Sequence, residues 1–506
     1  AELGDYSTNA AMLLAPVLKD APRAIAERLG SGLDARLGDR LARVEVAGPG
    51  FLNVFLSDAW YAEATAQVLA AGDGYGAGSP ERPERVNVEF VSANPTGPLT
   101  AAGGRHAAYG DSLSRILELA GHAVEREYYF NDAGSQVRRL GESIKARAIG
   151  APLPEDGYEG DYVRELAEEI PGAAEVDVEA LMTAGVERMF SRIRATLEAY
   201  RVHFDTFFLE GSLYEGDPSP VARALERLEG DHLYRHEGAL WLRTTDFGDD
   251  KDRVVERSTG EPTYFTSDIA YLEHKLARGY DRLVYVLGSD HHGYVGRLRA
   301  AAAALGADPR RVEVPILQFV HLIEGGQRAS MSKRRGDFVT LDELIGEIGV
   351  DATRFFMLQR SHDSTVDLDL DLARRQSNEN PVYYVQYAHA RIASMLAKAG
   401  EERVARALAR GAREAGALEP AERELIKKLL AFPAEVAEAA DRRAPHRMAA
   451  YALELAQSFT AFYRDCRVVG AEPQGAEWFR IALSVAAQRV IARSLGLLGV
   501  DAPASM

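Results

Sequence analysis

The chain has 506 residues, 46% of them hydrophobic, enough to bury several cores, so about three domains are expected. No apolar run reaches the length of a membrane span and no secretory signal pattern opens the sequence, so the expected location is the cytoplasm. A formal net charge of -17 argues against indiscriminate coating of nucleic acid, and the single cysteine, Cys466, excludes an internal disulfide and a thiolate metal cage.

In residues 1 to about 75, "STNAAMLLAPVL" and "APRAIAERLGSGL" have helical periodicity and "VEVAGPGFLNVFLS" has strand alternation, which makes a small α+β unit. The pattern begins mid-motif, so a preceding portion is expected. "GDGYGAGSPERPER" then reads as a linker. "VNVEFVS" is a strand with Val86, Val88 and Phe90 on one face and Asn87 and Glu89 on the other. It leads through "ANPTGPLTAAGG", a proline-pinned turn and glycine-rich entry, into a helix marked by Tyr109, Leu113, Ile116, Leu117 and Ala120. With "HAVEREYYFND", "DRLVYVLGSD" and "VEVPILQFVHL", this predicts a parallel sheet of Rossmann type, which binds nucleotides at the carboxyl ends of its strands.

A long acidic insertion, about 135–260, interrupts that pattern; between Ala151 and Phe190 eleven acids face only Arg164 and Arg188. From Arg297 to Gly336 the balance reverses, with eight Lys or Arg against three acids, and polyanions belong there. "SDHHGY" offers Asp290, His291 and His292, but adjacent histidines point apart and no further ligand stands at a recognised spacing, so no metal site is expected. "GGQRASMSKRRGDF", residues 325–338, puts glycines, small hydroxyls and Lys333, Arg334 and Arg335 in one loop. Alone it could equally be a solvated basic turn. Beside a glycine-rich turn of the same sheet it points to phosphoryl or nucleotidyl transfer, which needs fixed cations around a developing polyanion. Beyond a connecting segment, 346–380, the strand signal stops, and four amphipathic stretches make 381–506 a helical domain.

The ordered segments "VEFVSANPTGPL", "REYYFNDAGSQ", "YFTSDIAY", "GSDHHGYV", "MSKRRGDFVTLDEL", "NPVYYVQYAHARI" and "LGLLGVDAPASM" together resemble the bacterial arginyl-tRNA synthetases, from about Gly4 to Met506. The resemblance implies an α/β fold: a class I Rossmann catalytic domain over 76–345, an N-terminal α+β domain over 1–75 that contacts the tRNA elbow, and a C-terminal all-α anticodon-binding domain over 381–506. It also implies a monomer that activates arginine with Mg2+ and ATP to arginyl-adenylate, then transfers it to the terminal adenosine of tRNA(Arg) in protein biosynthesis.

The chain departs from that family at both signatures. His-X-Gly-His aligns at Thr100 and Gly103, so both imidazoles are gone. What remains is close backbone approach at Gly103 and Gly104, unpaired N–H groups at a helix start and the Thr100 hydroxyl. His106 is a tempting replacement but reads better as a surface or packing residue. Lys-Met-Ser-Lys appears as Ser330, Met331, Ser332, Lys333, which leaves Lys333 the principal catalytic cation, Ser332 beside it on ATP, and Arg328, Arg334 or Arg105 as helpers.

A guanidinium-selective pocket needs carboxylates placed for paired hydrogen bonds. The resemblance assigns Glu89, Asn94, Tyr264, Asp268 and His291 to arginine. Taken alone, Glu89 could be an exposed strand carboxylate and Asp268 a helix N-cap. It assigns Phe51 and Asn53 to the tRNA elbow, although ordinary strand alternation explains them equally well, and Tyr384, Tyr387, Tyr463 and Met506 to the anticodon, two of which may be read as core. Two alternatives compete: a catalytically impaired paralogue that keeps only tRNA binding, and an enzyme that activates arginine for another acceptor. Retention of Lys333, Glu89, Tyr264 and Asp268 speaks against the first, and the helical domain against the second.

Overall fold

The computed structural model describes residues 4–132, 134–228, 232–328, 339–411 and 414–506. The first unit runs β1 (Tyr6–Thr8), α1 (Ala10–Leu18), α2 (Pro22–Leu37), β2 (Leu41–Ala47), β3 (Phe51–Leu56) and α3 (Asp58–Ala71). Its antiparallel sheet has the order β1-β3-β2, with the β2–β3 reversal made by Gly48 and Gly50 at φ 54° and 142°. Ile25, Ala26, Ala11 and Leu52 close a small core under it. Ser57 caps α3, and this helix packs against the carboxy-terminal helices rather than against its own sheet.

The central unit contains β4 (Arg85–Glu89), α4 (Ala101–Leu119), β5 (Ala123–Phe130), α5 (Ser135–Ile149), α6 (Asp161–Glu169), α7 (Val178–Ala199) and β6 (Thr206–Leu209). It continues with α8 (Pro220–Arg227), β7 (Leu233–His236), β8 (Ala239–Leu242), β9 (Arg253–Glu256), α9 (Tyr264–Ala277), β10 (Arg282–Tyr285), β11 (Leu287–Gly288), α10 (Tyr294–Ala304), β12 (Val312–Glu313) and β13 (Ile316–Leu317). Five parallel strands form the sheet in the order β12-β10-β4-β5-β6. Register levels their ends: Glu89 faces Tyr285 on one side and Glu127 on the other. Because β4 is central and covered on both faces, Asn87 and Glu89 are buried as Val86 and Val88 are, so the expected two faces do not divide core from solvent.

Two boundaries differ from the sequence reading. The stretch 135–260 is not one insertion, since β6 inside it is an edge strand of the main sheet, reached by the helical crossover α5–α7. Its four residues, "TFFL", are lost in the acidic composition of the surrounding region. Only the antiparallel meander β7–β8–β9 stands apart, packed through Leu242 and Val255 beside α8 and α9. Nor is 346–380 a simple connector. After β14 (Val320–Glu324) and β15 (Gln327–Arg328) come α11 (Leu341–Leu358), β16 (Val366–Asp369) and α12 (Leu370–Arg374), and β16 pairs with β14 in parallel.

The last unit is helical: α13 (Pro381–Ala399), α14 (Glu401–Arg410), α15 (Pro420–Asp441), α16 (His446–Asp465) and α17 (Gln474–Leu497). Arg354 of α11, fully buried, joins the parts by donating to Leu498 O at 2.7 Å, Tyr200 O at 2.9 Å and the Asp111 carboxylate. The chain's end is held by His389 Nδ1 at 2.8 Å from Pro503 O and by Gln386 Nε2 donating to Asp501 O at 2.9 Å. Cys466 is free and buried. Among the described residues no helix is long and apolar enough to cross a membrane.

Candidate active site

At the carboxyl end of β4 the chain turns through two left-handed residues, Val91 at φ 67° and Ser92 at φ 39°. A β-branched residue holds that conformation at a cost of about 1–3 kcal/mol, and such strain collects where geometry serves a site. The turn aims Ser92 Oγ back into the sheet, where it donates to Glu89 Oε1 at 3.1 Å and accepts the Tyr129 N–H at 3.1 Å. The other Glu89 oxygen accepts from Lys275 Nζ at 2.6 Å, and that buried ammonium lies over the rings of Tyr271 and Tyr285, 4.4 and 4.0 Å from their centroids. Behind them Glu127 accepts from Asn87 Nδ2 at 2.8 Å, Tyr271 OH at 2.6 Å and Arg278 at 2.6 Å. Glu89 is therefore a buried, paired carboxylate and not an exposed one.

Tyr264, Asp268, Tyr271 and Lys275 recur at helical spacing and give α9 one polar face toward these strand ends. The cap of α9 is Thr263, which places Asp268 in the second turn and overturns its reading as an N-cap. Asp268 Oδ2 is buried without a hydrogen-bond partner. Burial pushes its carboxyl up to about 7; Arg297 opposes the rise, and the nearby charges of Glu89 and Glu210 add to it. Tyr264 stands at the rim, 62% exposed. Asn94 is exposed and donates to Gln136 Oε1 at 2.6 Å, while exposed His291 lies 3.4 Å from Asp290 and edge-on to Tyr294. The structure thus brings Glu89 and Asp268 together, sets Tyr264 at their edge, and leaves Asn94 and His291 with partners of their own.

Sequence reasoning missed Ser92, Tyr129, Glu210, Lys275 and Arg297 around this cluster. The face begun by Tyr264 and Asp268 extends naturally to Tyr271 and Lys275, so that signal was available. Glu210 follows the unrecognised strand β6 and carried none.

The glycine-rich turn is more modest than its sequence suggests. Thr100 caps α4 by accepting the Gly103 N–H at 3.1 Å, its carbonyl accepts the Gly104 N–H at 3.0 Å, and Ala101 N–H donates to Val339 O at 3.0 Å. Among the described residues only the Ala102 N–H of this first turn has no partner, so the expected cradle of free amides shrinks to one. A Cβ on Gly104 would fall 2.6 Å from Leu341 Cδ1, which makes this glycine a packing requirement of α4 on α11. At Gly103 the nearest atom would be 3.7 Å away, an ordinary contact, so nothing around it demands glycine.

Arg105 is buried and spends its guanidinium on the carbonyls of Gln318, Ser361 and Ser364 at 2.5–2.9 Å. It ties the segments that follow β13 and α11 to α4 and is not a phosphate helper. His106 faces Gly288 and the Asp290–His291 turn; burial, with the neighbouring Arg105, pushes it down to about 4 and keeps it neutral. Ser330, Ser332, Lys333 and Arg334 lie outside the described residues. The chain after them returns beside the turn, because Thr340 bridges Thr100 and Leu341 N–H donates to Leu99 O at 2.7 Å.

Two further surfaces were expected. Phe51 is exposed at the start of β3, but Asn53 is 3% exposed and accepts from Ser7 Oγ at 2.7 Å. In the helical unit Tyr387, Tyr463 and Met506 line one open cleft of about 660 Å³ with Arg391, Lys398 and Arg467. Arg391 lies over both rings, 4.6 Å from Tyr387 and 5.5 Å from Tyr463. Tyr384 packs against the core instead.

Three family descriptions match the chain: arginyl tRNA synthetase N-terminal domain over residues 1–56, class I (R) tRNA synthetase catalytic domain over 183–391, and DALR anticodon-binding domain over 385–506. The chain is 46% identical to the arginine–tRNA ligase of Shouchella clausii over 518 aligned positions, covering 99% of this chain and 92% of that one. Identity to the arginine–tRNA ligase of Geobacillus thermodenitrificans is also 46%, with the same coverage. A crystal structure described as a putative arginyl-tRNA synthetase of Campylobacter jejuni superimposes with a TM-score of 0.82 at 31% identity, over 89% of this chain and all of that one.

Proposed function

Since the chain belongs to the arginyl-tRNA synthetases, and is an arginine–tRNA ligase of class I, we propose that its chemistry runs between the α9 face and the Thr100 turn. Arginine enters with its guanidinium toward Asp268, Glu89 lining the wall beside it, Tyr264 closing the rim and Asn94 and His291 reaching the α-amino acid end. ATP lies across Thr100, Gly103 and Gly104, with its phosphates toward Ser332 and Lys333. The arginine carboxylate attacks the α-phosphorus, a mixed anhydride forms and pyrophosphate leaves. The terminal ribose hydroxyl of tRNA then attacks the arginyl carbonyl, its proton is lost and AMP departs.

Lys333 offsets charge on the leaving pyrophosphate, while the Thr100 hydroxyl and the Ala102 N–H supply what hydrogen bonding the turn retains. Return of the chain at Val339 to the Thr100 turn supports this division of labour. Mg2+ is assigned to the ATP complex, and no step is routed through a protein-held ion. Phe51 lies toward the elbow of tRNA(Arg), with Asn53 buried behind it, and Tyr387, Tyr463 and Met506 lie toward its anticodon, where stacking suits unpaired bases. Monomeric action in the cytoplasm completes the proposal.

The observation that carries the arginine pocket is the buried, unpartnered Asp268 oxygen among carboxylates at the sheet's carboxyl edge. Aminoacylation with arginine and other amino acids, alongside pyrophosphate exchange with and without tRNA, tests it. Charging with arginine alone is expected; charging with another amino acid, or none, refutes the reading.

A further inference from the structure

The turn before α4 has no ionisable side chain from Pro95 to Gly104, so whatever it offers a phosphate comes from neutral groups held in fixed positions. Packing does not fix all of it. On the side facing α7, Pro98 borders an open cleft of about 420 Å³, lined also by Tyr162, Arg192, Thr196 and Asp342. Hydrogen bonds from other elements brace the turn instead. Tyr128 of β5 donates to Ala93 O at 2.8 Å, Tyr162 of α6 donates to Thr96 O at 2.7 Å, and the Leu341 N–H of α11 donates to Leu99 O at 2.7 Å.

Tyr162 reaches the turn from the crossover α5–α7, where Val163 and Leu166 anchor α6 in that crossover's own core. Glycines make room for its ring. A Cβ on Gly160 would fall 2.5 Å from Tyr162 Cε1, and one on Gly97 would fall 3.3 Å from the phenolic oxygen. Gly97 is not left-handed, so an alanine there would meet the phenol without straining the backbone. Burial pushes the phenol up and keeps its hydroxyl a donor at neutral pH. Arg192 of α7 holds α6 through Glu165 at 2.8 Å and Glu169 at 2.7 Å, and Thr196 Oγ1 of α7 donates to Asp342 Oδ2 at 2.8 Å. The crossover therefore touches both the turn assigned to ATP and the first turn of α11, the helix that follows the Lys333 segment.

We propose that Tyr162 is a positioning residue for adenylate formation: its hydroxyl holds the Pro95–Pro98 turn, so that the Thr100 hydroxyl and the Ala102 N–H meet ATP at a fixed distance. This rests on the reading that ATP lies across Thr100, Gly103 and Gly104. Tyr162 touches no reacting atom and acts through Thr96. Its importance follows from the neutrality of the turn. A charge acts over several ångströms, but a hydroxyl or an amide acts only at hydrogen-bond distance, and a misplacement of about 1 Å can cost roughly a hundredfold in rate.

The test is arginine-dependent ATP–pyrophosphate exchange by the full chain, with saturating tRNA(Arg), in Tyr162→Phe, Gly97→Ala and the double variant. Tyr162→Phe removes the phenolic oxygen and keeps the ring, and it is expected to lower kcat about tenfold. Its KM for arginine stays within about twofold, since the loss is confined to the transition state on the phosphate side. Gly97→Ala presses on the phenolic oxygen and is expected to lower kcat about fivefold alone, but less than about twofold in Tyr162→Phe, where that oxygen is gone. A kcat within about twofold of wild type in Tyr162→Phe overturns the proposal. So do losses that simply multiply in the double variant, or a fall in kcat matched by an equal rise in the arginine KM, the signature of a general structural role. A wild-type chain that exchanges no pyrophosphate with arginine and tRNA(Arg) present refutes the underlying placement of the substrates, and the role of Tyr162 with it.

Discussion

At the carboxyl end of the sheet, the amino-acid side of the site carries Glu89, Glu127, Asp268 and Glu210 with Lys275 and Arg278 among them, whereas the turn from Thr100 to Gly104 has no ionisable side chain. The difference follows from what each side must hold. A guanidinium brings one permanent charge and several donors, so its selection depends on carboxylates fixed in place beforehand. A triphosphate can be met from outside the turn, by a loop elsewhere in the chain. Preorganisation has a cost on the first side: Asp268 keeps a buried Oδ2 without a hydrogen-bond partner, and Val91 is held left-handed to aim Ser92.

The largest expected effect lies on the phosphate side. Lys333→Ala should lower kcat by about a hundredfold to a thousandfold, the usual loss for one preorganised transition-state donor. Affinity for tRNA, measured by titration, should hardly change; an intact kcat would leave the turn's poverty unexplained.

On the amino-acid side Asp268→Asn should raise the arginine KM steeply, roughly a hundredfold for a buried pair broken on one side. The same change should stabilise the free protein at pH 8. The Asp268 carboxyl titrates at about 7 in the fold against 3.8 ordinarily. A raised folded value means that the fold binds the proton more strongly, so burial costs stability that grows as pH climbs between those values. Removing the charge should therefore raise Tm at pH 8 by about 2–4 °C, with no gain near pH 4. A melting curve that ignores pH would show Asp268 to be better solvated than its buried oxygen implies.

Arginine binding needs the ionised form, so kcat/KM for arginine should fall about tenfold per pH unit as pH drops below the Asp268 value, and the slope should vanish in Asp268→Asn. The anticodon cleft offers a smaller effect. Tyr387→Ala removes one stacking ring and the seat of Arg391, and should weaken tRNA binding by about 1–3 kcal/mol without altering pyrophosphate exchange once tRNA saturates. Smallest is Thr100→Ser, which keeps both cap and hydroxyl and should leave kcat within about twofold, whereas Thr100→Ala loses a cap of about 1 kcal/mol.

The sequence by itself determined the units, the helical carboxy-terminal region and the family, because helix periodicity and ordered motif strings are local properties. It also placed Glu89 at a strand end and Asp268 on a helix, and the spacing of α9 held a signal for Tyr271 and Lys275. Packing alone decided which charges were free. Glu89 finds its partner 186 positions away in Lys275, Arg105 is consumed by carbonyls more than 200 positions away, and Asn53 is closed off by Ser7 on another strand. Glu210 reaches the strand ends only because the four residues of β6 join the sheet, with Leu209 pairing with Phe130 immediately before it. Periodicity specifies the face a side chain takes, but whether a buried charge is satisfied depends on segments distant in the chain, which only the folded arrangement brings together.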